Sequence, residues 1–199
     1  MRIRALVATL LAAAVVTAVA SAADPVPAPA PLDPAVEVAR VGMTSVSRAS
    51  FERWLRISYQ RNGLKGSPPC PAPVPGSAAD KRLHDQALTF LIRTTWLDGE
   101  AAERSIRAPR SEVRRSVLHA AHLAFPKKGE FARFLLQTCS TQADLELRQR
   151  STILQRRITA DVLRHKISLT YFGQDYNDRW RARTICAPGF VIADCSNQT

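Results

Sequence analysis

The chain has 199 residues, 46% of them hydrophobic, and carries 28 Lys and Arg against 17 Asp and Glu, a formal net charge of +11. A chain of this length is in the range of one domain and buries about 70% of its unfolded surface, which excludes a dependence on metal or disulfides for folding. The basic balance would suggest nucleic acid in a cytosolic protein, but the N-terminus points elsewhere.

"MRIR" is a short positive region, followed by the uncharged apolar run "ALVATLLAAAVVTAV" and by Ala20, Ser21 and Ala22. This is the layout of a secretory signal peptide with cleavage expected after Ala22; the alternative is a retained anchor. The first 22 residues hold two of the 28 basic residues and no acid, so the remainder carries 26 against 17, or +9. The expectation is an exported protein with no transmembrane span after cleavage. Outside the membrane the polyanions are cell-wall polymers, lipid surfaces or acidic clients, and no nucleic acid is expected.

Two proline-rich stretches punctuate the chain. Residues 23–35, "ADPVPAPAPLDPA", read as an extended linker, and residues 66–77, "GSPPCPAPVPGS", as a loop. Between them a strand-like piece (Val36, Val38, Val41) turns into a helix. Ser47 is its N-cap, and Phe51, Trp54, Leu55 and Tyr59 lie on one face.

After the loop, "DKRLHDQALTFLIRTTWLDGEAAERSI" keeps helical periodicity, weakened at Gly99. Pro109 suits a helix start and Pro126 closes that helix. "GEFARFLLQ" is a short helix with Phe131, Phe134 and Leu135 on one side. Thr141 and Asp144 form a capping box opening a long amphipathic helix through Leu147, Leu154, Ile158 and Val162. A final helix, roughly "YFGQDYNDRWRAR", leads into Cys186 and Cys195. The fold class is therefore mostly α with a minor β element, in which "VARV" near the start pairs with "FVIA" near the end. Residues 36–195 form the domain and 196–199 a tail.

The Pro-Gly turn between Cys186 and Cys195 suits a disulfide hairpin worth about 2.5 kcal/mol on the chain-entropy model. Cys70 and Cys139 form a second bridge or remain free thiols; spacing does not choose. A zinc site lacks any CxxC pair. His119 and His122 stand three apart without an intervening Glu or a third ligand, His84-Asp85 has no nucleophile in context, and neither GxSxG nor a phosphate loop is present. These patterns point away from an enzyme and imply no cofactor.

The order of parts resembles the N-terminal chaperone domain of the SurA/PrsA family of exported foldases. "VARVGMTSVSRASFERWL" is similar to its opening strand, Gly turn, cap and Phe-bearing helix, and "LIRTTWLDGEAAERSIRAPRSEVRRSV" to its long helix and the entry to the next. "FPKKGEFARFLLQTCSTQADLELRQRSTILQRRI" resembles its Phe-Leu helix, turn and return helix, and "YNDRWRARTICAPGFVIADC" the tail of actinobacterial members. The resemblance spans Val36 to Cys195. Ser105 and Cys139-Ser140 stand where the family favours Gly, and Pro109-Arg110 where it has a Ser-Asp cap.

Full-length members insert a parvulin prolyl isomerase domain between the long return helix and the final helix. Here "LRHKISLTYFGQDYNDRW" joins the two directly. The resemblance thus implies an ATP-independent holdase without an isomerase, whose helices form an apolar crevice for unfolded polypeptides. Trp54, Trp96, Phe125, Phe131 and Phe134 are its candidate client-binding residues, although aromatics at helical spacing are more often core. The alternative is a cell-envelope adaptor whose basic face binds an anionic polymer or protein partner.

Overall fold

A hairpin and a long helix organise everything else. The computed structural model describes residues 32–61, 76 and 78–197. Among them, strands β1 (Glu37–Val41) and β2 (Thr44–Ser47) precede helices α1 (Arg48–Arg61), α2 (Ala78–Glu103), α3 (Arg110–Ala124), α4 (Glu130–Gln137), α5 (Gln142–Arg164) and α6 (Leu169–Ala182), and strand β3 (Thr184–Cys186) closes the order. The mostly helical class with a minor sheet is what the sequence pattern implied. The signal-like region, the linker up to residue 31, and Cys70 with its proline-rich loop lie outside the described residues.

The sheet is antiparallel in the order β2-β1-β3. Gly42 takes φ +57 at the first position of the two-residue loop joining β1 to β2, a conformation that favours glycine. Val41 pairs with Thr44, and Ser47 Oγ then accepts the Ser50 N–H at 3.2 Å, capping α1. The sequence pattern had read this segment as a cap alone and missed β2.

The strand returning from the C-terminus is also not the expected one. Ala39 pairs with Cys186 and Val41 with Thr184, whereas Phe190–Ala193 forms no strand. Phe190 and Ile192 instead enter the core as buried side chains. The physical reason is the Pro188-Gly189 turn, with Gly189 at φ +82, which ends the extended run and folds the chain back toward Cys195.

α2 lies at the centre. Leu83, Ala87 and Leu91 form one buried stripe, while Leu88, Ile92 and Trp96, on a second, are equally buried. Sequence periodicity showed the first stripe and not the second, because a helix covered on several sides loses its polar face. At its C-terminal end, Ala101 joins Leu154, Ile158 and Val162 of α5 in a smaller cluster.

Gly99 and Glu100 receive α6. A Cβ at Gly99 would stand 2.1 Å from the Trp180 ring, so only glycine lets the indole lie against α2. Trp180 Nε1–H donates to Glu100 Oε2 at 2.8 Å, and Arg104 (2.6 Å) and Arg179 (2.8 Å) donate to the same buried carboxylate.

The chain end is then fixed to α2 and β1. Trp96 Nε1–H donates to Thr184 Oγ1 at 2.8 Å, Arg93 grips the buried Asp194 bidentately, and Cys186 and Cys195 are disulfide-bonded. Asn197, in the 196–199 tail, accepts from Cys186 N–H and donates to its carbonyl. α5 and α6 are joined by residues 165–168 alone.

Candidate functional site

The site is a groove formed where α4 crosses α3 and α5. α3 packs on α5 through Val113, Val117 and Ala121, all buried. Ala120 and Ala124 lie on the flank of that contact, and their small side chains leave space beside α5. Phe125 ends α3, its N–H donating to Ala121 O at 2.8 Å. Pro126 has no N–H to continue the helix. Gly129 then turns the chain with φ +84, and Glu130 Oε2 accepts the Lys127 N–H at 3.2 Å.

α4 carries its apolar residues on one side, yet none of its eight residues is buried. Phe125 meets Phe134 with ring centroids 4.8 Å apart and Phe131 at 5.9 Å. Opposite them, Leu145, Arg148, Gln149 and Thr152 of α5 form the floor, and Val117, Ala120, Ala121 and Ala124 the α3 wall, around a cavity of about 420 Å³. Gln149 Nε2 is occupied in donating to Ser116 Oγ at 2.8 Å. Leu123 and Leu136 are exposed outside the groove.

Two contacts tie the groove to α1. The capping box of Thr141 and Asp144 starts α5, and Arg53 of α1 donates to both Asp144 carboxylate oxygens and to Thr141 Oγ1. Burial alone would raise the Asp144 pKa; the hydrogen bonds from Arg53 and Thr141 outweigh it and hold the carboxyl below its ordinary range. The Arg148 guanidinium, on the floor, lies 4.8 Å from the Trp54 ring centre and 5.9 Å from that of Phe90.

The structure divides the five aromatic candidates. Phe125, Phe131 and Phe134 line the groove together. Trp54 and Trp96 do not: they are 4% and 0% exposed. Trp54 is covered by Phe90 at 4.2 Å and by Arg148, and Trp96 is spent on anchoring Thr184. Both sit on helices flanked on several sides, where a large ring is core.

Sequence reasoning missed the α5 floor and the alanine wall. The signal available was "HAAHLA", small residues at helical spacing directly before a Phe. Cys139 is disulfide-bonded at the α4–α5 corner, so it is not a free thiol; Cys70, the other cysteine of that open alternative, lies outside the described residues. His119 and His122 are exposed on α3, and no group of three metal-ligating side chains occurs among the described residues.

A family model described as SurA-like N-terminal domain matches residues 2–159. The chain belongs to that family. No curated protein and no solved structure matches it. The match to the SurA-like domain covers the groove elements α3 and α4 and most of α5, and ends before α6 and the disulfide-bonded terminus. Among the described residues of this SurA-like chain, no helix is long and apolar enough to cross a membrane.

Proposed function

We propose that this SurA-like protein is an exported, ATP-independent holdase that receives unfolded or extended polypeptides in the α3–α4–α5 groove. The observation that carries this reading is α4, an amphipathic helix whose Phe131 and Phe134 face a cavity instead of a filled core. A cavity lined by aromatic and small apolar side chains gains free energy from burying apolar side chains of a ligand. The exported location is supported by the signal-like N-terminus and by the disulfides, which persist in oxidising compartments.

The test is suppression of aggregation of a reduced, unfolding model client at low and at physiological salt. Suppression at up to equimolar ratio in both salts is expected. Phe131→Ala with Phe134→Ala should lose most of it while keeping the wild-type helical circular dichroism. A folded wild-type protein that leaves aggregation unchanged would sink the reading and favour the envelope adaptor. Mass spectrometry of the exported protein checks the compartment, with Ala23 expected as the first residue.

A further inference from the structure

The groove is charged asymmetrically. Between Arg110 and Arg157 the chain has ten arginines and lysines against four carboxylates. All four carboxylates are engaged: Glu112 with Arg157, Asp144 with Arg53, Glu130 with the Lys127 N–H and Glu146 with Gln142. Lys127, Lys128 and Arg156 are exposed and form no ion pair among the described residues. Their positions matter more than their number. Lys127 and Lys128 occupy the turn between Phe125 and Phe131, at one end of the groove. Arg156 lies one helical turn beyond Thr152, which lines both the groove and the shallow depression that continues along α5 to Leu163.

We infer that the groove selects extended segments with an apolar centre flanked by carboxylates, an inference that rests on the client-binding reading above. The centre fills the cavity beside Phe131 and Phe134, and acidic residues on either side meet Lys127 and Lys128 at one end and Arg156 at the other. From Leu145 to Arg156, α5 rises about 16 Å, the reach of about five extended residues. Each exposed ion pair contributes modestly and is screened by salt, so the selection is one of preference and on-rate, strongest at low ionic strength.

Fluorescence anisotropy with labelled peptides tests this. Three peptides share a five-residue aromatic and aliphatic centre flanked by paired Glu, Gln or Lys, and a fourth is polyglutamate. Wild-type protein should bind the Glu-flanked peptide about tenfold more tightly than the Lys-flanked one at low salt. The variant Lys127→Gln/Lys128→Gln/Arg156→Gln, with an unchanged thermal melt, should reduce that ratio to about twofold or less and leave the Gln-flanked peptide unaffected.

Equal wild-type affinities for the three centred peptides, with all of them lost in Phe131→Ala/Phe134→Ala, would overturn the charge selection and leave the holdase reading standing. An undiminished ratio in the triple variant would overturn the assignment of these three cations. Polyglutamate binding as tightly as the Glu-flanked peptide would overturn the inference in favour of plain polyanion capture. If no centred peptide binds the folded protein, the holdase reading falls and this inference with it.

Discussion

Gly99 sets the closest approach between α2 and the end of the chain. In an isolated helix, alanine there would be favoured by about 1 kcal/mol. In this fold its Cβ would enter the Trp180 ring, and displacing a buried indole is overpacking that costs about 1–3 kcal/mol. Gly99→Ala is therefore expected to lower the urea midpoint without changing the far-ultraviolet spectrum. A rise in the midpoint would show that Trp180 is not seated on this helix.

Ser105 presents the opposite case. It sits just past the end of α2 with φ +57, as an L-residue in the left-handed region that glycine adopts without strain. Ser105→Gly should raise stability by about 1 kcal/mol in urea unfolding. Ser105 and Cys139, at φ +55, were both legible in the sequence as departures from family glycines, and both take the glycine-like conformation. At Cys139 the disulfide is an additional constraint on the corner leading into α5.

At the scale of elements, Glu100 is the buried carboxylate in the docking of α6 on α2, beside the more exposed Glu103 that Arg179 also reaches. Burial pushes the Glu100 pKa up, but donation from Trp180, Arg104 and Arg179 outweighs it, and the net shift is downward from the ordinary 4.5. A lowered folded-state pKa means that the stabilisation is fully present above the unfolded-state value and is lost as pH falls through the lowered one. Wild-type melting temperature should therefore fall steeply below about pH 4.

Glu100→Gln should lower stability at neutral pH by about 2 kcal/mol, since the charge-assisted hydrogen bonds from Arg104 and Arg179 are weakened while those arginines keep Asp161 and Glu103, and should flatten the acid limb. Parallel acid limbs in the two proteins would show that other carboxylates, Asp144 foremost, carry the acid sensitivity. The element α4 was fully legible from its Phe131, Phe134 and Leu135 stripe. Which side of it stays uncovered was not, because that depends on the alanines of α3 and on where α5 runs.

At the scale of the molecule, the two ends of the described chain are held together. β3 pairs with β1, Arg93 with Asp194, and the disulfide closes the turn that sends Phe190 and Ile192 into the core beside Phe51. Cys186→Ser with Cys195→Ser should cost about 2.5 kcal/mol by freeing the small loop in the unfolded chain. It should also expose β1 to faster amide hydrogen exchange at Arg40 and Gly42, because in an antiparallel ladder alternate amides face opposite neighbours and these two face β3, Gly42 N–H donating to Arg183 O at 2.8 Å. Protection unchanged at Arg40 and Gly42 would mean that the Trp96–Thr184 and Arg93–Asp194 contacts suffice. The groove, on α3 to α5, is distant in sequence from this clamp and should keep its peptide affinity in the same variant.

The helical class, the order of the helices, the capping of α1 and α5, the Cys186–Cys195 bridge and the family were legible without the fold, since periodicity, caps and nearby cysteines are local. Packing between distant elements is what makes Thr184–Cys186 the returning strand, puts Trp54 and Trp96 in the core while Phe131 and Phe134 face a cavity, and sets Trp180 against Gly99. Each of those outcomes depends on which distant element covers a given face, and a face left open beside α4 reads in sequence no differently from one that is filled.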